Sequence, residues 1–401
     1  MHITYLSPAW PPAGAANGIV TYVSVIRTYM LSKGHDVSVL ADGRLYLRDG
    51  SVEDLDGTAV PTASFWPRLA SRLDRRLGHH PFTGRRIARQ LRRARRIVPI
   101  DLVEMEESFG WSAAVQRGID VPVVTRLHGP QFLKPEGKDR MVPPEHARHR
   151  ERAEGRAIRY AAALSAPTRV ILDATCERYG RPASTGRVIP NPVRIGGADD
   201  RWCADACDPD LILCVGRLDR LKGADTMIAA FSRVLRHRRQ ARLVMVGPDG
   251  GMEQPDGSVI PFREHVRRTV GAATLDRVRF TGLLGQEAIN ALRRQACMTV
   301  VASQCENFPY AAVEAMAVGS PLITTDWLGS AEIVADGVTG WRTPVGDPDR
   351  LAERIIRLLE DREAAAAAGA AAWQICRDGY AADSVGARMA AFYRDVVEEH
   401  A

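Results

Sequence analysis

Two cations follow one apolar segment in the second half of the chain. After the segment LILCVG comes GRLDRLKG, which carries Arg217 and Lys222. Cations at the mouth of a crevice suit a diphosphate, because they stabilise the negative charge that grows as a leaving group departs. The chain has fifty arginines and four lysines, so Lys222 stands out from the general surface charge. Solvated surface charge is the alternative interpretation of both residues.

Two glutamates follow a second apolar segment, MTVVAS. Glu306 lies in the predicted loop after this segment, and Glu314 lies eight residues later in a predicted helix. The turn that follows Glu306 is formed by Asn307, Phe308 and Pro309. A carboxylate at a crevice accepts hydrogen bonds from two hydroxyls, which suits ribose or a hexose. Two glutamates at this spacing also occur by chance, so their place after a predicted strand carries the interpretation.

Residues in the first half of the chain also follow predicted strands. The loop PPAGAANG ends at Gly18, before a predicted helix, and a glycine there lets a backbone N–H approach a phosphate. His128 follows the segment VPVVTRL. An ordinary turn glycine and a structural histidine are the alternatives. A further pair, Gly329 and Glu332, follows PLITT and is less informative.

The elements that must position these residues alternate between strand and helix in both halves of the chain. The first half contains the predicted strands HITYLS, DVSVLA, DLVEM, VPVVTRL, AAALSAP and RVIP; the second contains LILCVG, ARLVMVG, RVRFTG, MTVVAS and PLITT. Such alternation predicts parallel sheets covered by helices. We therefore expect an α/β protein of two Rossmann-like, doubly wound domains facing across a cleft, with ligands at the carboxyl ends of the strands. The predicted domains span 1–195 and 208–376, and the linker lies within 191–210.

Composition excludes several classes of protein. The 401 residues are 45% hydrophobic and 25% charged, which excludes a wholly disordered chain. No apolar run is long enough for a membrane-spanning helix, and the N-terminus does not resemble a signal peptide. The seven cysteines are scattered, which indicates a reduced cytoplasm rather than disulfides or a zinc site. The net charge is +6, but the stretch Arg68–Arg96, with eleven arginines and one acid, alone carries +10, so the rest of the chain carries about −4. Because the positive charge is confined to this stretch, a general nucleic-acid coat is not expected.

The sequence resembles the retaining glycosyltransferases of family 4, which have the GT-B fold. The resemblance is carried by GRLDRLKG, by ENFPYAAVE with EAMAVGSPLITT behind it, and by ADGVTGW, RLHGP and PPAGAANGI. It is close over about 211–359 and looser in the first half. It implies that the last segment, 377–401, is a helix that packs back on the N-terminal domain.

The resemblance implies a nucleotide-diphospho-sugar donor, UDP- or GDP-linked, with no separate cofactor and no metal. Arg217 and Lys222 would hold the diphosphate, Glu314 the ribose, and Glu306 the donor hexose. The backbone of 307–309 would contact sugar and phosphate. The family usually has Gly-Gly at two places where this chain has Asn17-Gly18 and Leu328-Gly329, so only the second position of each pair matches.

Two residues of the N-terminal domain complete the implied site. Gly18 would offer its amide to the phosphate, and His128 would lie beside the sugar. Glu306 and His128 are therefore the catalytic candidates. The family's chemistry is described as front-face attack, in which the leaving diphosphate accepts the proton of the acceptor hydroxyl. The work of the protein is then mainly positioning and charge stabilisation.

The implied function is transfer of a hexose to a hydroxyl of a glycan or lipid-linked acceptor, in surface polysaccharide or lipopolysaccharide biosynthesis. We expect a cytoplasmic protein, with attachment to the inner face of the membrane left open. The arginine-rich stretch Arg72–Arg96 either docks on anionic lipid or is the solvated side of a helix whose apolar face carries Ile87, Leu91, Ala94 and Val98. No nucleic-acid partner is expected.

The sequence leaves two points open, the function and the role of three carboxylates. A nucleotide-sugar epimerase of the same fold is one alternative function, and a non-enzymatic membrane or nucleic-acid binder is another. The carboxylates Glu104, Glu106 and Glu107 either face the acceptor, cap a helix or face solvent.

Overall fold

Strands and helices alternate along the chain as the apolar segments predict. The structure is a computed structural model that describes residues 1–12, 17–56, 73–74, 76, 80–134, 144–197, 200–254 and 256–400. The chain divides into two compact units, Met1–Pro192 with Ala382–Ala401, and Val193–Ala381. Each unit is built on its own mainly parallel sheet, which confirms the predicted two-domain α/β architecture.

The first unit contains an eight-stranded sheet with the order β4-β3-β2-β1-β5-β6-β7-β8. Its strands are β1 (His2–Leu6), β2 (Asp36–Ala41), β3 (Arg44–Tyr46), β4 (Val52–Asp54), β5 (Leu102–Glu106), β6 (Val123–Arg126), β7 (Ala163–Ala166) and β8 (Gly186–Val188). The edge strands β3 and β4 pair in an antiparallel manner and were not predicted. A two-residue turn, Asp42-Gly43, joins β2 to β3, and both residues have positive φ, as a tight hairpin requires.

Helices cover this sheet and bury one apolar face each. They are α1 (Gly18–Ser32), α2 (Pro81–Ala94), α3 (Trp111–Gln116), α4 (Pro144–Arg159) and α5 (Arg169–Tyr179). Helix α1 begins where the Asn17 side chain accepts a hydrogen bond from the Ile19 amide, at 2.8 Å. In α2 the predicted apolar face is buried against the sheet through Ile87, Leu91 and Ala94.

The second unit contains a six-stranded parallel sheet with the order β13-β10-β9-β14-β15-β16, and a separate hairpin of β11 and β12. Its strands are β9 (Asp208–Val215), β10 (Arg242–Val246), β11 (Met252–Glu253), β12 (Val259–Ile260), β13 (Val278–Gly282), β14 (Ala296–Val301), β15 (Leu322–Thr325) and β16 (Trp341–Thr343). Its helices are α6 (Ala224–His237), α7 (Phe262–Val270), α8 (Ala272–Leu275), α9 (Gln286–Gln295), α10 (Tyr310–Val318), α11 (Ser330–Ile333), α12 (Pro348–Glu360) and α13 (Arg362–Gly379).

The last helix, α14 (Ala382–His400), belongs to the first unit. Its Gly386 faces the ring of Tyr29 in α1, so closely that a Cβ atom would lie 2.3 Å from that ring. Its Tyr393 hydroxyl donates a hydrogen bond of 2.7 Å to the buried carboxylate of Glu104, in the middle of β5. The second unit begins and ends at a bridge between Val193 and Ala381, so it starts before the predicted residue 208 and ends after residue 376.

Candidate active site

The sheet of the second unit has a topological switch point between β9 and β14. From β9 the chain crosses to β10 on one side, and it later returns to place β14 on the other side. In open parallel sheets the ligand crevice lies beyond the carboxyl ends of the strands at such a point. Arg217 and Lys222 follow β9 and Glu306 follows β14, so the fold brings the predicted cations and the first glutamate to one place.

Lys222 and Glu306 are in direct contact. The Lys222 Nζ atom lies 2.6 Å from Oε1 of Glu306, which also accepts a hydrogen bond of 2.7 Å from the Ser303 hydroxyl. The lysine side chain is 29% exposed and the glutamate side chain 11% exposed, so a ligand can reach the pair although protein surrounds most of it. An ammonium and a carboxylate held together can bind a phosphate and a sugar hydroxyl side by side.

The loop that carries Lys222 depends on Gly223. This glycine has a φ of +66°, and a Cβ atom built on it would lie 1.8 Å from the carbonyl oxygen of Ala302, at the end of β14. A side chain at this position would therefore be strained and would push the loop away from β14. The close approach of the two loops is what places Lys222 against Glu306.

Arg217 pairs with Asp219 in the same loop. The carboxylate of Asp219 also accepts a hydrogen bond of 2.9 Å from the backbone N–H of Lys222, which orders the loop. The Arg217 side chain is 49% exposed. Arg217 is therefore accessible to an anion, which would compete with Asp219 for the guanidinium.

Glu314 in α10 is held by a residue that the sequence analysis did not identify. The Nη2 atom of Arg293, in α9, lies 2.8 Å from Oε2 of Glu314, and Nη1 donates to Asn290 at 2.8 Å. The Arg293 side chain is fully buried, whereas Glu314 is 17% exposed. Arg293 thus fixes one carboxylate oxygen from inside the protein. The sequence carries no signal for this role, because Arg293 is one of many arginines on amphipathic helices.

The turn after Glu306 presents its backbone and one polar atom. Phe308 packs edge-on against Tyr310, with ring centroids 5.3 Å apart, so its side chain is taken up by the apolar cluster around α10. Pro309 is buried and precedes the first turn of α10. The Oδ1 atom of Asn307 is buried and has no hydrogen-bond partner within the described part of the chain. A buried acceptor of this kind is costly unless a ligand hydroxyl or a water pairs with it.

The loop after β15 lies along the same carboxyl edge of the sheet. Gly329 has a φ of +90° and precedes α11, in which Glu332 is exposed. Leu328 stands where the family usually has the first glycine of a Gly-Gly pair, and its side chain is 54% exposed.

In the first unit the predicted residues follow β1 and β6, on either side of β5. The switch point of this sheet lies between β1 and β5. Gly18 is exposed and is the first residue of α1, where backbone N–H groups and the helix dipole favour an anion. His128 is half-buried, and its ring lies edge-on to Tyr22 with centroids 5.1 Å apart. Burial, with Arg126 nearby, lowers the pKa of His128 well below its usual value.

Glu107 holds the His128 loop in place. Its two carboxylate oxygens accept hydrogen bonds from the backbone N–H groups of His128, at 2.8 Å, and Gly129, at 2.7 Å. Burial, with Glu154 and Glu106 nearby, raises the pKa of Glu107. The carboxylate of Glu107 is completely buried, so it faces neither an acceptor nor solvent. Its side chain also makes no capping hydrogen bond to the helical turn that follows it, so none of the three alternatives describes Glu107.

The two other glutamates of this strand differ from each other. Glu104 is buried and bonds to Tyr393, so it does not face solvent, and burial raises its pKa. Glu106 is half-buried and accepts a hydrogen bond of 2.7 Å from the Ser108 hydroxyl. Of the three, Glu106 is the one with an exposed fraction at the carboxyl end of β5.

The arginine-rich stretch is partly described. Arg68, Arg72 and Arg75 lie outside the described residues. From Pro81 onward the stretch is helix α2, and the side chains of Arg92 and Arg93 donate to backbone carbonyls of Gly118 and Leu55. This part of the stretch is therefore a domain helix with an arginine-covered outer face.

No three His, Cys, Asp or Glu side chains of the described residues cluster closely enough to hold a metal ion. No described helix has the length and apolar character needed to cross a bilayer.

Two protein-family models match the chain. The model of the family described as "Glycosyltransferase Family 4" matches residues 16–196, and that described as "Glycosyl transferases group 1" matches residues 205–374. Together they leave few residues unmatched, and the division between them falls near the linker predicted from the sequence.

Curated relatives that resemble the chain are transferases. A D-inositol 3-phosphate glycosyltransferase of Frankia alni is 37% identical over 176 residues, which are 41% of this chain and 42% of that protein. A D-inositol 3-phosphate glycosyltransferase of Nocardiopsis dassonvillei is 29% identical over 88% of this chain and 83% of its own length. The alpha-D-kanosaminyltransferase of Streptomyces kanamyceticus is 26% identical over 70% of this chain and 72% of its own length.

Solved structures share the fold over nearly the whole chain. The sucrose-phosphate synthase of Thermosynechococcus elongatus superimposes with a TM-score of 0.77, at 21% identity and 99% coverage of both chains. Anabaena HepE, solved in complex with UDP and glucose, superimposes with a TM-score of 0.66, at 18% identity, over 98% of this chain and all of its own. At this level of identity the likeness establishes the fold.

Proposed function

We propose that this chain, which belongs to glycosyltransferase family 4 and is a hexosyltransferase using a nucleotide-sugar donor, transfers the hexose with retention to a hydroxyl of a glycan or lipid-linked acceptor. The proposal rests on the contact between Lys222 and Glu306 at the β9–β14 switch point, 2.6 Å apart. A cation for the diphosphate and a carboxylate for the hexose adjoin each other there, as a nucleotide-sugar requires.

The proposed chemistry is displacement at the anomeric carbon on the face from which the diphosphate leaves. The bond between that carbon and the diphosphate oxygen breaks, and a bond to the acceptor oxygen forms on the same face. The acceptor proton passes to the departing diphosphate, so the products are a nucleoside diphosphate and the glycoside. Lys222 and Arg217 stabilise the charge on the leaving group, since cations aimed at developing charge lower the barrier.

The remaining predicted residues orient the donor. Glu314 has one carboxylate oxygen bound by Arg293, which leaves the other oxygen for ribose hydroxyls. In the first unit, Gly18 and His128 keep the roles that the family resemblance implies for them, an amide donor to phosphate and a group beside the sugar.

A donor panel tests the proposal. Thermal shift of the full chain with UDP-, GDP- and ADP-sugars identifies the base, because a ligand at a hundredfold excess over its Kd stabilises a protein by about 2.7 kcal/mol. UDP-sugars come first, since HepE was solved with UDP. Inositol phosphates come first as acceptors, from the names of two relatives, and the donor panel includes an amino-hexose, since kanosaminyl is the group that the third relative's name gives as transferred. NMR of the product anomer then distinguishes retention from inversion, and an inverted product contradicts the proposed chemistry.

The same panel distinguishes the enzyme from an epimerase. Incubation with a nucleotide-sugar alone leaves the donor hexose unchanged if the chain is a transferase. Conversion to a second nucleotide-sugar without acceptor contradicts the proposal.

Cytoplasmic location and attachment to an anionic membrane through Arg72–Arg96 are part of the proposal. The outer face of α2 exposes Arg85, Arg86 and Arg89. Replacing Arg85, Arg86, Arg89 and Arg92, four exposed residues of α2, with alanine is expected to abolish sedimentation of the chain with anionic liposomes. Unchanged sedimentation contradicts membrane attachment by this face.

A further inference from the structure

Two buried glutamates hold the loop that carries His128. The carboxylate of Glu107, which follows β5, accepts hydrogen bonds from the backbone N–H groups of His128, at 2.8 Å, and Gly129, at 2.7 Å. The carboxylate of Glu154, in α4, accepts a hydrogen bond of 2.7 Å from the backbone N–H of Gln131. Both glutamates are 0% exposed. Three backbone N–H groups of this loop are therefore bound by carboxylate oxygens inside the protein.

The two carboxylates differ in their counter-ions. The Nε atom of Arg150 lies 2.6 Å from Oε1 of Glu154, and the same oxygen accepts a hydrogen bond of 3.1 Å from the backbone N–H of Phe109. Glu107 has no cation within ion-pair distance among the described residues. A buried carboxylate without a counter-ion lowers the stability of the fold. Proteins keep such an unfavourable arrangement chiefly where function requires it.

Only an ionised carboxylate satisfies both donors beside Glu107. Each of its oxygens accepts one of two neighbouring N–H groups, those of His128 and Gly129. The amide of a glutamine has an acceptor on one side and a donor on the other, and a protonated carboxyl group carries a proton on one oxygen. Loss of the negative charge therefore weakens or breaks one of the two bonds to the loop.

The surroundings of Glu107 favour its protonated form. The charged and titratable groups around it are Glu106 in β5, Glu154 and Arg150 in α4, Tyr179 in α5, and His128 and Lys134 after β6. Burial, followed by the charges of Glu154 and Glu106, raises the pKa of Glu107 to about 8. The carboxylate that both hydrogen bonds require is thus the main form only above about pH 8.

We propose that Glu107 is a positioning residue for hexose transfer. As a carboxylate it fixes the backbone of His128 and Gly129, and so holds the His128 side chain beside the donor hexose. This inference rests on the proposed function, in which His128 lies beside that sugar. Glu107 itself is completely buried, so it acts through the loop and not by contact with a substrate.

The backbone amide signal of His128 tests the anchor in the absence of any substrate. A chain labelled with 15N-histidine gives ten such signals, one for each histidine, and the signal missing from His128→Gln belongs to His128. In the wild type we expect its proton to shift downfield as the pH rises from about 6 to about 9, because the acceptor becomes charged and the hydrogen bond shortens. In Glu107→Gln the shift is expected to stay constant.

The pH dependence of turnover tests the role in transfer. With the nucleotide-sugar identified by the donor panel, the ratio of kcat in the wild type to kcat in Glu107→Gln is expected to rise by about tenfold between about pH 6 and about pH 9, since one charge-assisted hydrogen bond corresponds to about that factor. The Kd of the nucleoside diphosphate, which lacks the hexose, is expected to be the same in both proteins. A variant that is only less stable would show no such pH-dependent ratio.

Two other variants control for charge and for folding. Glu177→Gln makes the same substitution at an exposed position of α5, and it is expected to keep the turnover and the His128 signal of the wild type. Glu106→Gln removes a charge that raises the pKa of Glu107, so it is expected to move the midpoint of the amide shift to lower pH. This second variant tests the anchor even if Glu107→Gln does not fold.

Each measurement has a result that overturns the inference. A His128 signal that does not move with pH in the wild type, or an unchanged midpoint in Glu106→Gln, would overturn the anchor. A constant ratio of kcat would overturn the role in transfer. The absence of turnover with every donor would contradict the proposed function and with it that role, whereas the amide signal would still report on the anchor.

Discussion

At the scale of single residues, the candidate site consists of charges held at fixed positions. Lys222, Glu306 and Ser303 form one connected group, so each oxygen and nitrogen has a defined direction before the donor binds. A preorganised group stabilises developing charge without a reorganisation cost during the reaction.

Lys222→Ala is expected to lower kcat by about a hundredfold to a thousandfold, because it removes the cation nearest the proposed leaving group. The loss is measured as steady-state turnover of the nucleotide-sugar identified by the panel. Arg236→Ala, which removes an exposed charge from the same unit, is the matched control and is expected to keep full activity. Equal turnover in Lys222→Ala and the wild type would contradict the role of the lysine.

Arg293→Met is expected to weaken selection for the ribose of the donor. The substitution leaves Glu314 without the bond that fixes one of its oxygens, at 2.8 Å in the structure. The ratio of kcat/KM for the ribose donor to that for its 2′-deoxyribose analogue is expected to fall by about tenfold, because the loss of one charge-assisted hydrogen bond corresponds to about that factor.

The neighbouring variant Arg294→Met is the control for this prediction. The Arg294 side chain is 35% exposed and forms a long ion pair of 3.7 Å with Asp200. Because this pair does not involve Glu314, the loss of Arg294 leaves Glu314 in place. If Arg293→Met lowers activity on both donors by the same factor, the effect of Arg293 is on general stability and not on Glu314.

At the scale of elements, the sequence predicts the strands that bear on the site and misses the short ones. Continuous apolar runs such as LILCVG and MTVVAS mark buried parallel strands, so the residues that follow them fall at the carboxyl edge of the sheet. The missed strands β3, β4, β11, β12 and β16 have two or three residues, too few for a pattern. Arg293 and Glu107 were missed as positioning residues because a buried partner is defined only by packing between elements that are distant in sequence.

Gly223→Ala tests the contact between the β9 and β14 loops. A Cβ atom there meets the Ala302 carbonyl oxygen at 1.8 Å and needs a φ of +66°, so we expect a loss of about 3 kcal/mol of unfolding free energy or more, with activity reduced further. Gly337→Ala is the control, since Gly337 has a φ of +74° with nothing within 4 Å of its Cβ position; its cost is about 1 kcal/mol. Denaturant unfolding measures both values, and equal losses would show that loop contact has no part in the effect.

At the scale of the whole molecule, the chain returns to its first unit. The first unit takes its last helix from the C-terminus, and the Tyr393 hydroxyl of that helix donates a hydrogen bond to the buried Glu104 of β5. The resemblance predicted such a helix over 377–401. The exact bounds of the units could not be predicted, since they depend on one backbone bridge between Val193 and Ala381.

Gly386→Ala is expected to loosen the first unit and to leave the second unit unchanged. The added methyl group would lie 2.3 Å from the ring of Tyr29, so α14 must move away from α1. Hydrogen exchange measured by mass spectrometry is expected to rise in α1, α14 and β5. Gly379→Ala, at a position with nothing within 4 Å, is expected to change none of them; faster exchange confined to the second unit in Gly386→Ala would refute the assignment of the helix.

A crystal structure with the nucleoside diphosphate selected by the donor panel shows directly whether Lys222, Arg217 and Glu314 hold the donor. We expect the terminal phosphate within hydrogen-bond distance of Lys222 Nζ, the Arg217 guanidinium released from Asp219 towards the diphosphate, and the ribose on the free oxygen of Glu314. A diphosphate bound elsewhere, with Lys222 still on Glu306 and Arg217 still on Asp219, would contradict it.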